Sequence, residues 1–131
     1  MLFTTKTEYG LKALVFLAKQ NKNQPVSLAV VARATKISQS YLEQIFRRLK
    51  GDGLVLSVKG ADGGYLLARS PSKISIFEIV EALEGTIAVF YCMSQSQAFC
   101  SVSGCLTKKI WEELQVNIIK TLRKFKLKDI I

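Results

Sequence analysis

Leu11, Leu14, Val15, Leu17 and Ala18 recur at the three- and four-residue spacing of one helical face, which predicts a helix over residues 6–20. Thr5-Lys6-Thr7-Glu8 at its start fits a capping box, a threonine cap with a glutamate three residues on. Asn21 to Gln24 and Pro25 end it. Ser27 is placed to cap a short second helix over 28–34, burying Leu28, Val31 and Ala32. Thr35-Lys36-Ile37 is a tight connection, after which Ser38 caps a third helix over 39–50, ended by Gly51 and Gly53. In that third helix Leu42, Ile45, Phe46 and Leu49 make one apolar stripe, while Gln39, Ser40, Glu43, Gln44, Arg47 and Arg48 occupy the other face.

The pattern then changes. Residues 54–59 read as a strand, Gly60-Ala61-Asp62-Gly63-Gly64 as a tight loop, and residues 65–68 as the return strand. Ser75-Ile76-Phe77-Glu78 is a second capping box, opening a helix that runs through Leu83 and is closed by Gly85. Finally Ile110, Trp111, Leu114, Ile118, Leu122 and Phe125 share one face of a long helix over about residues 106–125. Short helices joined by a brief turn, followed by a hairpin with a glycine-rich tip, make a winged helix-turn-helix. The expected fold class is therefore mainly α with a small β-hairpin wing (α+β). So long an apolar stripe on so small a domain points to a partner helix, and hence to a homodimer.

Composition narrows the function. At 131 residues, 49% of them apolar, the chain suffices for one domain with a real core. No apolar run approaches the ~18 residues of a membrane span, and the N-terminus shows no secretory h-region. A cytoplasmic protein with no membrane partner is expected. The net charge of +9 is unevenly spread: residues 33–73 hold eight basic against three acidic residues, and residues 74–105 hold three glutamates and no basic residue. Such a surplus suggests a polyanion, nucleic acid before an anionic membrane surface. On the third helix Ser40, Tyr41, Gln44, Arg47 and Arg48 are the hydrogen-bonding and cationic types that read DNA; Gln44 suits bidentate base readout, and Lys59 in the hairpin suits phosphate or minor-groove contact. Glu43 either accepts from a cytosine amine or repels phosphate.

There is no histidine, which excludes histidine triads, histidine metal clusters and histidine proton shuttles. No nucleophile–base pair, paired loop carboxylates or phosphate cradle is found, and no Gly-Lys-Ser/Thr string follows Gly60, Gly63 and Gly64, so the chain is not expected to be an enzyme. All three cysteines, Cys92, Cys100 and Cys105, fall within fourteen residues. In a reducing compartment that clustering indicates metal or redox chemistry, with zinc as a competitor to iron.

At residues 38–67 the string Ser-Gln-Ser-Tyr-Leu-Glu-Gln-Ile-Phe-Arg-Arg-Leu, then Gly-Leu-Val, then Lys-Gly-Ala-Asp-Gly-Gly-Tyr-Leu-Leu, resembles the iron–sulfur regulators of the IscR and NsrR type, the Rrf2 family. The resemblance extends over nearly the whole chain. It implies a dimeric protein on double-stranded DNA, binding a palindromic operator with affinity set by a 2Fe–2S or 4Fe–4S cluster. Carried over residue by residue, it makes Cys92, Cys100 and Cys105 the cluster thiolates. It assigns DNA contacts to Ser38, Ser40, Tyr41, Gln44 and Arg47, with Lys59 and Gly60 from the wing. It also implies that Glu8 is the fourth ligand, reaching the other subunit's cluster, as an acidic residue does in some three-cysteine members. The organisation that follows is a DNA-binding domain over 1–85, a cluster-binding loop over 86–105, and a dimerisation helix with a C-terminal tail over 106–131.

Two departures stand out. Members commonly place five residues in each cysteine gap, and here the gaps are seven and four. One subgroup takes a histidine ligand shortly after the third cysteine, where this chain has Lys108-Lys109. Lys59 also stands where a related member has arginine, replacing a planar fork with a point charge. The alternative is a cluster-free regulator that senses by thiol oxidation or by a small ligand.

Overall fold

The computed structural model describes residues 3–90 and 104–131. Three helices open the chain: α1 (Thr5–Ala18), α2 (Leu28–Thr35) and α3 (Gln39–Gly51). An antiparallel hairpin follows, β1 (Val55–Val58) and β2 (Gly64–Leu67), with Val55 opposite Leu67 and Val58 opposite Gly64. Then come a 3-10 turn (Pro71–Lys73), α4 (Ile76–Glu84), α5 (Lys108–Lys124) and a closing 3-10 turn (Leu127–Ile130). The mainly α fold with a β wing is as expected, its elements shifted by only one or two residues.

The apolar stripes meet in one core. Phe46, Leu42 and Leu49 of α3 are fully buried against Leu14 of α1, Val31 of α2 and Ile79 and Leu83 of α4. Ser27 and Ser38 cap α2 and α3 by accepting from the Val30 and Tyr41 amides, 3.3 Å each. The Ser75–Glu78 capping box forms in full, Glu78 Oε2 accepting from the Ser75 amide at 2.9 Å. Arg69 Nη2 donates to the other Glu78 oxygen at 2.9 Å, tying the wing's exit to α4.

The Thr5–Glu8 box does not form. Thr4 is the N-cap, accepting from the Lys6 amide at 3.2 Å, and Glu8 instead pairs with Lys12 at 2.8 Å. The reason is tertiary. Glu84, at the end of α4, takes the Thr4 amide (2.9 Å), the Thr4 hydroxyl (2.6 Å) and the Thr7 hydroxyl (2.8 Å) on one carboxylate oxygen. That contact draws the chain into helix one residue earlier than the sequence suggests.

The C-terminal segment returns to the core. Leu127 is fully buried, its amide donates to the Ile74 carbonyl at 2.8 Å, and the Ile76 amide donates to Phe125 at 2.9 Å. Phe125 lies one residue past α5 in extended backbone, not within the helix. Along α5 the stripe divides. Trp111 meets Phe90 edge-on at 4.8 Å, and Ile118 and Leu122 pack on the core. Ile110 and Leu114 stay 60% and 42% exposed along the stripe.

Candidate nucleic-acid interface and cysteine site

Successive α-helical residues are turned ~100° apart, so positions i, i+4 and i+7 line one side. On α3 those positions are Ser40, Gln44 and Arg47, all exposed and directly opposite the buried stripe. The fold thus collects three of the sequence-assigned readers into one outward row. Ser38 is committed to capping α3 through its hydroxyl, although its exposed position beside the row is kept.

The other two readers turn to the flank. Tyr41 packs edge-on against Tyr9 of α1 at 5.7 Å, and its hydroxyl lies 3.3 Å from Thr5 Oγ1. Arg48 Nη1 donates to the Leu83 carbonyl at the end of α4, 3.3 Å away. Both side chains couple α3 to its neighbours, and Arg48 satisfies a carbonyl that the end of α4 leaves open. Adjacent Arg47 and Arg48 are therefore placed differently, one exposed opposite the stripe and one bonded to α4, which composition alone does not separate.

The wing is anchored along β2 and open at its tip. Val26, between α1 and α2, pairs with Tyr65 of β2 through two backbone bonds of 3.0 and 2.8 Å. Phe46 of α3 packs on the Tyr65 ring at 4.8 Å. The tip residues Lys59 and Gly60 are exposed, and Gly60 has φ 115° with open space around it. Gly63 has a different role: a Cβ there would overlap the Val58 carbonyl, so a side chain is barred from the turn.

Cys92 and Cys100 lie outside the described residues. Cys105 is exposed just before α5. The Thr107 hydroxyl, 3.5 Å from its sulfur, and then the Thr107 and Lys108 amides hold its thiol below the ordinary value. Amides at a helix start favour an anion, here the thiolate that both metals and oxidants take. Glu8 is exposed on α1, with 60% of its side chain open to solvent beyond the Lys12 pair. Among the described residues no group of three metal-binding side chains converges.

Glu84 escaped notice in the sequence because its partners lie 77 and 80 residues away. Burial pushes its carboxyl up, but bonds from Thr4 and Thr7 outweigh that and leave it below the ordinary value. The stability it contributes is therefore present above the ordinary carboxylate range and lost as pH falls through the depressed value. Glu84→Gln is expected to lower stability at neutral pH by about 1 kcal/mol, discounted for partial exposure. It should also flatten the loss of stability between roughly pH 5 and 3. Urea melts of both proteins across that range check this; parallel curves would show the carboxylate idle.

Comparison with known proteins agrees with this fold. The family model Rrf2, iron-dependent transcriptional regulator, matches residues 3–131. The regulator IscR of Cereibacter sphaeroides is 40% identical over 135 residues, covering 100% of this chain and 87% of that protein. Among solved structures, CymR (YrzC), the global cysteine regulator of B. subtilis, superposes with a TM-score of 0.82 at 30% identity, covering 99% of this chain and 95% of that one. The IscR of T. potens gives 0.79 at 35% identity, covering 99% and 85%. No helix among the described residues is long and apolar enough to cross a membrane.

Proposed function

Because the chain belongs to the Rrf2 family and is a winged-helix, DNA-binding transcriptional regulator, not an enzyme, we propose that it acts as a homodimer on a palindromic operator under the control of an iron–sulfur cluster. Cys92, Cys100 and Cys105 supply thiolates, and Glu8 of the partner subunit supplies the fourth ligand. The observation that carries this reading is Cys105: its exposed sulfur lies 3.5 Å from the Thr107 hydroxyl just before α5, the helix on which Ile110 and Leu114 stay exposed. An exposed thiol donor fits iron–sulfur ligation, and the exposed Glu8 carboxylate on α1, held by Lys12 at 2.8 Å, fits a labile fourth position.

When bound, the cluster supplies a redox-sensitive centre that cysteine thiolates hold. The chain's own residues carry its state to the DNA. Glu8 sits on α1, whose Thr5 and Tyr9 touch Tyr41 at the start of α3. The cysteine segment follows Gly85, and the last turn of α4 grips α1 through Glu84 and α3 through Arg48. A shift at either end reaches the row Ser40–Gln44–Arg47. Because half-sites sit a fixed helical turn apart, a small rotation of either head changes affinity.

Protein isolated without oxygen is expected to be coloured and to contain iron and sulfide, with Cys105→Ala losing most of both. Mössbauer spectra of wild type beside Glu8→Ala test the fourth ligand; identical spectra clear Glu8. Equal operator affinity for cluster-loaded and cluster-free protein at one salt concentration would remove the switch. The second reading is a cluster-free thiol sensor, favoured by the CymR likeness and by Lys108-Lys109 where one subgroup has histidine. Colourless, iron-free protein after attempted reconstitution would select it.

A further inference from the structure

Lys36 is the sole non-glycine residue at positive φ among the described residues (φ 60°, ψ 30°), in the turn that joins α2 to α3. A left-handed backbone disfavours any residue with a Cβ, and glycine or asparagine would hold this turn with less strain. Strain of this kind persists where a side chain has work to do. Lys36 is exposed and forms no ion pair among the described residues. It lines an open cleft of about 470 Å³ at the start of α3, together with Tyr9, Lys12, Ser38 and Tyr41. The charged residues lining that cleft are Lys36 and Lys12, and Lys12 is paired at 2.8 Å with the Glu8 carboxylate. A net positive charge remains.

The N-terminal end of a recognition helix enters the major groove most deeply. A helix with side chains is 10–12 Å across and the groove ~12 Å wide, so groups flanking that end meet the sugar–phosphate walls. We propose that this cleft is a phosphate site, in which Lys36, with Lys12 behind it, clamps a backbone phosphate of the operator and so sets how far α3 enters the groove. The inference rests on the DNA-binding reading and adds to it a contact blind to sequence.

The test uses two variants that retain the turn, Lys36→Gly and Lys36→Asn, binding a short mixed-sequence duplex and the chain's own promoter fragment over a range of salt. Each is expected to weaken both duplexes about equally, by roughly fivefold to tenfold for each protomer bound, and to reduce the salt slope by about 1 per protomer. Lys36→Gly should also melt several degrees higher than wild type, since the strain is relieved. Affinity and salt slope unchanged in both variants would overturn the proposal. Gln44→Ala, which should weaken only the promoter fragment, distinguishes the two failures. If it does so while the Lys36 variants bind normally, the regulator reading stands and the phosphate site falls. If wild type binds neither duplex, both fall.

Discussion

Replacing Phe46 with alanine is expected to cost about 3–5 kcal/mol, the largest effect of any single substitution considered. Phe46 is fully buried at the junction of α3 with the rest of the core, and its ring packs on Tyr65 of the wing at 4.8 Å. Truncation leaves a cavity bounded by helices that hold one another through Leu14, Leu42 and Leu83, so collapse around it is limited. Domains of this size are stable by only about 5–15 kcal/mol. A loss of this order should lower the melting temperature by roughly 15 °C. The reading row would suffer as well, because Phe46 supports both α3 and the wing. Phe46→Leu keeps most of the volume and should cost less than about 1.5 kcal/mol. Chemical denaturation of the two variants measures the difference; an alanine variant within 1 kcal/mol of wild type, on the order of a lost surface contact, would refute the packing.

Gly64→Ala should rank second, at roughly 2–4 kcal/mol. A Cβ at Gly64 would overlap the carbonyl carbon and oxygen of Val26 and crowd the Ser27 amide, all of them backbone. No rotamer relieves such a clash. The chain must open, and the two bonds of 3.0 and 2.8 Å between Val26 and Tyr65 are the first to break. Those bonds hold β2 of the wing against the α1–α2 connection. Gly60→Ala makes the useful contrast: Gly60 also has positive φ, but nothing lies within 4 Å of the added atom. It should therefore cost only the conformational penalty of about 1–2 kcal/mol. Thermal melts rank the pair, and duplex affinity reports whether the loosened wing still reaches DNA. Equal melting of the two variants would show that the Val26 contact matters little.

The elements that could be read in advance share a property. The stripe Leu42–Ile45–Phe46–Leu49 lies within one helix, Ser38 caps that helix from the adjoining residue, and Ser75 and Glu78 satisfy each other three residues apart. The wing strands were placed to within a residue, because short apolar runs bounded by glycines leave little choice. The outward face carrying Ser40, Gln44 and Arg47 was recognisable as the side opposite the stripe.

What was not legible depends on groups distant in the chain. Two adjacent threonines, Thr4 and Thr5, are equally suited to cap α1; the Glu84 carboxylate from α4 selects Thr4. Arg47 and Arg48 are indistinguishable as letters, yet one faces outward and the other donates to Leu83. The strained backbone of Lys36 has no sequence signature, because lysine gives no sign of a left-handed turn.

By itself, then, the sequence determined the helices, the wing and the polar outward face of α3, since each is encoded by periodicity and capping among near neighbours. The tertiary structure alone decided which hydroxyl caps α1, which arginine of α3 faces outward, and that Leu127 is buried beside Ile74. Those outcomes depend on hydrogen bonds and burial between residues 35 to 80 positions apart, which no local pattern specifies before the chain has folded.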